Sequence, residues 1–232
     1  MTIIPSKSSS GIITGVFVLL YTFCAAQSGN REEVKAAYDP GSIPEVINTI
    51  PVGFTFYLSG NHQESTKGFL QGQIRWNSLE VSSPQGIVHN GQFTFNREKI
   101  WKNGHEADFE IKMRGKVINC KLPLPYVKKI RFNLYTDSLK KGEPFYLNVE
   151  GKFSSGRTYP LDTGMVAFCK SGGGKLTGQS LLVSHQDTGT HAIMVYSRLK
   201  MDPQIRDSIL VPVKILPNPV NLPTEQEVLQ SR

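Results

Sequence analysis

The chain has 232 residues and carries 26 Lys and Arg against 19 Asp and Glu, a net charge of +7. The basic residues are dispersed, with only short clusters such as Lys128-Lys129 and Lys140-Lys141, which excludes the basic stripe that nucleic-acid binding needs. Three cysteines in this length exclude a disulfide framework.

The first 26 residues hold one charge, Lys7, ahead of the uncharged run GIITGVFVLLYTFCAA at 11–26. A short apolar run ending in small residues reads as a secretory signal peptide over 1–26, cleaved before Gln27. An uncleaved N-terminal anchor is the alternative. The run is short for a bilayer crossing and no second one of its length follows, so no membrane span is expected after cleavage. The expectation is a secreted, extracellular chain of about 206 residues (232 − 26) with a surplus of about +6 (25 − 19). That surplus attracts anionic glycans, acidic proteins or lipid head groups.

Residues 27–42 open on the polar stretch QSGNREEVKAA and read as a loose arm or one short helix. From Ile43 the chain breaks into short alternating runs between Gly, Pro, Asn, Asp and Ser. In DFEIKM, Phe109, Ile111 and Met113 share one face and Asp108, Glu110 and Lys112 the other. IRFNLY alternates in the same way, and no long helical period appears. The predicted fold class is all-β, an antiparallel β-sandwich or barrel of one or two modules. One module spans 43–138, and 139–217 is a second module or a continuation of the first. Phe56, Leu58, Phe109, Ile111, Phe132, Leu134 and Leu147 are the expected core. GFTFYL at 53–58 and GEPFYL at 142–147 share a Gly, Phe, Tyr, Leu pattern, and the features after each follow in similar order, as a degenerate repeat or by chance. The tail at 218–232, rich in Pro just before and within it, reads as extended. Cys120 and Cys169 either form one bridge or sit as small hydrophobes.

Catalytic signatures are weak. Asp162-Thr163-Gly164 and Asp187-Thr188-Gly189 carry the aspartic-protease triplet but lie 25 residues apart (187 − 162), and turn chemistry explains both. SGGGKLTGQ at 171–179 lacks the Gly-Lys-Ser/Thr ending of a phosphate loop and precedes a strand, so it reads as a hairpin. The five histidines show no close metal-ligand spacing. No enzyme activity and no cofactor or metal are expected.

The most informative stretch is IVHNGQFTFNREKIWKNGHEADFEI at 87–111. It places Asn96, Arg97, Asn103, His105 and Glu106 near Trp101, the mixture of planar polar groups and an aromatic face that sugar sites use. The alternative is an ordinary polar sheet face with Trp101 in the core. Across 43–138, IPVGFTFYLSGN, FTFNR, IWKN and the closing DFEIKMRGKVINCKLPLPYVKKIRFNLYTD resemble a galectin carbohydrate-recognition domain. The resemblance implies a jelly-roll-like sandwich that binds a glycan or glycoprotein without catalysis. It places Asn96, Arg97, Trp101, Asn103 and Glu106 at the ligand, with IWKN on a strand and a bulge after Asn96. Thr94 stands where the family has a ligand-binding His, and Arg97 follows Asn96 directly. A secreted structural or protein-interaction module without sugar binding is therefore the rival, with a protein partner in place of the glycan.

Overall fold

The computed structural model describes residues 33–58 and 62–214. The expected signal segment, the cleavage point at Gln27 and the tail lie outside the described residues. The first half runs β1 (Glu33–Tyr38), β2 (Thr49–Leu58), β3 (His62–Ser65), β4 (Glu80–Ser82), β5 (Gly86–His89), β6 (Gln92–Phe95), α1 (Arg97–Lys102), β7 (Glu106–Met113) and β8 (Lys116–Pro123). The second runs β9 (Val127–Phe132), β10 (Leu139–Lys140), β11 (Phe145–Tyr146), β12 (Val149–Phe153), β13 (Thr158–Pro160), β14 (Val166–Ser171), β15 (Lys175–Thr177), β16 (Ser180–Leu182), β17 (Ala192–Leu199) and β18 (Arg206–Lys214). The chain is an all-β protein, and its strand pairs are antiparallel apart from β10 on β18.

In the first half a sheet of order β1-β2-β6-β5, with β3 also on β2, faces a sheet of order β4-β7-β8. The period of two decides what lies between them. Ile50, Val52, Phe54 and Phe56 point inward from β2, and Ala107, Phe109, Ile111 and Met113 from β7. Phe109 stands edge-on to Phe54 at 5.3 Å and to Phe93 at 4.9 Å. The ring cluster thus ties one sheet to the other in the offset geometry aromatic pairs prefer.

The second half packs sheets β13-β12-β9, β10-β18-β17-β14 and β11-β16-β15 around two further hydrophobic clusters. Phe132 and Phe168 touch both clusters and join them.

Several expectations need correction. Glu33–Tyr38 is a strand, β1, paired with β2 from Glu33↔Tyr57 to Tyr38↔Val52, where a loose arm or helix was expected. Its Val34 is buried in the first core, which explains why this short polar stretch is held. The first core ends at Leu124, while β9 pairs with β12 and packs in the later clusters. Residues 127–138 thus belong with the second half, not with 43–126. Pro123 and Pro125 end the β8 ladder here, because proline lacks the N–H a ladder requires. Of the expected core, Phe56, Phe109, Ile111 and Leu147 are buried, whereas Leu58, Phe132 and Leu134 are half-buried.

The two similar segments occupy unlike places. Residues 53–58 run through a ten-residue central strand, whereas Phe145 and Tyr146 form a two-residue strand on β16 after a turn at Gly142 (φ +78°). Both Asp-Thr-Gly triplets are turns. Asp162 Oδ1 accepts from Gly164 N at 2.9 Å, and Asp187 Oδ1 accepts from Thr190 N at 2.9 Å. SGGGKLTGQ builds the β15–β16 hairpin and the turn before it. Cys120 and Cys169 are free thiols on β8 and β14, and burial pushes the Cys120 thiol up to about 12.

Candidate functional site

The stretch read as a galectin-like strand is the helix α1, and local chemistry explains it. Asn96 is the N-cap, and its side-chain oxygen accepts from Lys99 N at 3.1 Å, satisfying one of the orphan donors of the first turn. At the other end Gly104 takes φ +69°. Gly104 N then donates to Trp101 O at 3.2 Å and His105 N to Ile100 O at 2.9 Å, the paired bonds of a Schellman ending. Glu98 and Lys102, four residues apart, are joined at 2.6 Å. Ile100 is buried in the first core and fixes the rotation of the helix.

That rotation separates the five expected ligand residues. Arg97 and Trp101 share one helical face and line a cleft of about 430 Å³. Asn96, Arg97 and Trp101 also line an adjoining groove of about 900 Å³. Asn103 and Glu106 line neither. Asn103 Nδ2 donates to Glu106 O at 2.9 Å and to Asp108 Oδ2 at 2.8 Å. Asp108 N in turn donates to the buried Gln85 Oε1 at 3.0 Å. Glu106 Oε2 accepts from Lys121 Nζ at 3.0 Å. Asn103 and Glu106 therefore brace the start of β7. No bulge follows Asn96, because the chain turns into a helix there.

Asn96 thus spends its side chain on capping. Asn96→Ala is expected to cost about 1 kcal/mol of stability and to leave ligand binding unchanged. Urea unfolding measures the first, and binding titration the second.

Arg97 is half-buried. Its Nη2 donates to Pro44 O at 3.0 Å, and its guanidinium lies 5.4 Å from the centre of the Phe95 ring. Burial holds its pKa down to about 10, against the opposing pull of Asp162 and then Glu45. The loop carrying Pro44 is pinned to the β12–β13 hairpin. Ser155 Oγ donates to Glu45 Oε1 at 2.7 Å, and Arg157 Nη1 donates to Ser42 O at 3.3 Å. Glu45 is 1% exposed, and its Oε2 has no hydrogen-bond partner among the described residues and lies 3.8 Å from Arg157 Nη1. These contacts hold the first core against the second beside the cleft. Sequence reading missed Glu45, whose role depends on residues 110 positions away.

The far wall brings in His105, Tyr126, Met201 and Asp202. His105 sits at φ +70°, with its ring stacked on Tyr126 at 3.9 Å. Burial holds its pKa below the ordinary histidine value, with Asp202 opposing. The folded chain therefore favours the neutral ring. That contribution is complete above the unfolded pKa of about 6.5 and is lost as pH falls from there through the lower folded value. His105→Asn, which tolerates the left-handed backbone, is expected to flatten the fall in thermal midpoint between pH 7.5 and pH 5.5. Equal slopes for the two proteins would contradict this.

The described residues define an all-β antiparallel sandwich protein. No family model and no curated protein matches the chain. Among solved structures it is similar to domains 4 and 5 of the S-layer protein SbsC, at 12% identity over 79% of this chain and 98% of that one, with a TM-score of 0.28. It is also similar to FdeC, an Escherichia coli adhesin, at 12% identity over 79% of this chain and 65% of that one, with a TM-score of 0.29. A third is the protocadherin GammaB4 extracellular domain, at 10% identity over 80% and 42% of the two chains, with a TM-score of 0.23. No helix among the described residues is long and apolar enough to cross a membrane.

Proposed function

We propose that the chain is a secreted, non-catalytic β-sandwich module that binds another protein through the cleft beside α1. The observation that carries this reading is the separation of the five expected ligand residues. Asn96, Asn103 and Glu106 are committed to capping, to Asp108 and to Lys121, which leaves Arg97 and Trp101 facing a cleft of mostly apolar walls. A pyranose needs several planar polar groups converging on adjacent hydroxyls. One cation beside aromatic, aliphatic and Met side chains suits a protein surface, where Trp, Arg and Met are favoured. Secretion rests on the apolar run before Gln27.

Peptide display against the purified protein tests the reading, with a glycan array run in parallel. The expected result is a selected peptide motif that binds wild type at least tenfold more tightly than Trp101→Ala. Lactose-sensitive glycan signals, with no selected peptide, would return the protein to the lectin reading.

A further inference from the structure

Arg97 is a cation in want of an anion. A guanidinium offers five N–H donors, yet the only side-chain hydrogen bond Arg97 makes among the described residues is to Pro44 O. None of their carboxylates lies within 4.0 Å of it. Its two acidic neighbours each direct one oxygen to another donor, and neither comes within 4.0 Å of the guanidinium. Asp162 Oδ1 takes Gly164 N and Met165 N, and Glu45 Oε1 takes Ser155 Oγ. A charge drawn partly out of water gains from a partner, and desolvation already acts against the charged form of this half-buried one.

Arg97 lines the cleft and the groove alike. Trp101, Met165, Met201, Leu199 and Ile205 supply apolar wall around it, and methionine adapts its shape to what it covers. Lys128 lines the cleft and Lys200 the groove, each without an ion pair within 4.0 Å among the described residues; Asp202 is the one carboxylate lining the cleft, and Glu98, paired with Lys102, the one lining the groove. The charge balance therefore favours an anion. At about 430 Å³ the cleft has the size of a small-ligand site, so a side chain enters it and a folded domain does not.

We propose that the cleft takes an apolar residue of a peptide segment together with an adjacent carboxylate, which Arg97 binds as a fork. The proposal rests on the protein-partner reading and adds the chemistry of the segment. A bidentate guanidinium–carboxylate pair fixes orientation as well as charge.

The test uses the purified chain and four probes: an acetylated hexapeptide ending in Leu-Phe with a free C-terminal carboxylate, the same peptide as its C-terminal amide, decanoate, and decanol. Binding is followed by two-dimensional NMR at the Arg97 Nε–H and the Trp101 Nε1–H. Wild type is expected to bind the carboxylate peptide at least tenfold more tightly than the amide, with both signals shifting. Arg97→Gln is expected to lose that preference with an unchanged circular dichroism spectrum, and Trp101→Ala to weaken both peptides. If Arg97→Gln does not fold, the carboxylate-to-amide ratio on wild type decides alone. Equal binding of the two peptides would overturn the role of Arg97 while leaving the protein-partner reading in place. Decanoate binding over decanol, without peptide binding, would overturn the peptide assignment and the protein-partner reading together. No shift with any probe at millimolar concentration would overturn the site.

Discussion

Phe109→Ala is expected to lower the stability of the folded chain by about 3–5 kcal/mol. Phe109 is 1% exposed and points from β7 into the first core. There it meets Phe54 and Phe93 of the opposing sheet, at 5.3 Å and 4.9 Å. Truncation removes the apolar transfer energy of the ring, two edge-on aromatic contacts and the filling of a space that neighbouring strands cannot close. β7 is paired on both sides, with β4 and β8, so its backbone is not free to move inward. Phe132, half-buried between the later clusters, is expected to cost less. Urea unfolding followed by circular dichroism measures both. A loss under about 1 kcal/mol at Phe109 would contradict the packing described for the first core.

Glu45→Ala carries the second large effect, about 1.5–3 kcal/mol, the range for a hydrogen bond to a charged group. The opposing consideration is that a buried carboxylate with one oxygen lacking a hydrogen bond is costly to keep, so its removal returns part of that cost. The hydrogen bond is expected to win for two reasons. Ser155 donates to it at a short 2.7 Å, and its negative charge supports both Arg157 at 3.8 Å and the half-buried Arg97. Glu45→Gln keeps an acceptor for Ser155 but removes the charge, and is expected to fall between wild type and Glu45→Ala. If Glu45→Ala matched or exceeded wild-type stability, the desolvation cost would dominate and the contact between the 42–45 loop and the β12–β13 hairpin would contribute little.

The alternation in DFEIKM was readable because every second residue of β7 faces one core, and the same logic placed Phe56 correctly. β1 was hidden by its composition. Only Val34 is buried along Glu33–Tyr38, so the strand is held by its ladder to β2 rather than by a visible apolar face. The stretch around α1 misled for a different reason. The sequence Asn96-Arg97-Glu98-Lys99, followed by Asn103-Gly104, carries both ends of a helix in sequence. A six-residue helix, though, has too few turns to show a period, and the galectin resemblance favoured strands. The cap, the Schellman ending and the pairing of Glu98 with Lys102 decide the local fold. Once α1 forms, Asn103 cannot share a groove with Arg97. The cleft itself was beyond reach of local patterns, because it brings together residues from Phe95 to Ile205.

The claim that the partner sits beside α1 is tested most directly by placing a photo-crosslinking benzoylphenylalanine at Trp101, which is 38% exposed. The control carries it at Val117 on β8, which is 55% exposed and lines neither the cleft nor the groove. With a peptide selected on the wild-type protein, irradiation is expected to give a covalent adduct from position 101 and none from position 117. Equal adducts from both positions, or an adduct from 117 alone, would contradict the assignment of the cleft as the binding surface.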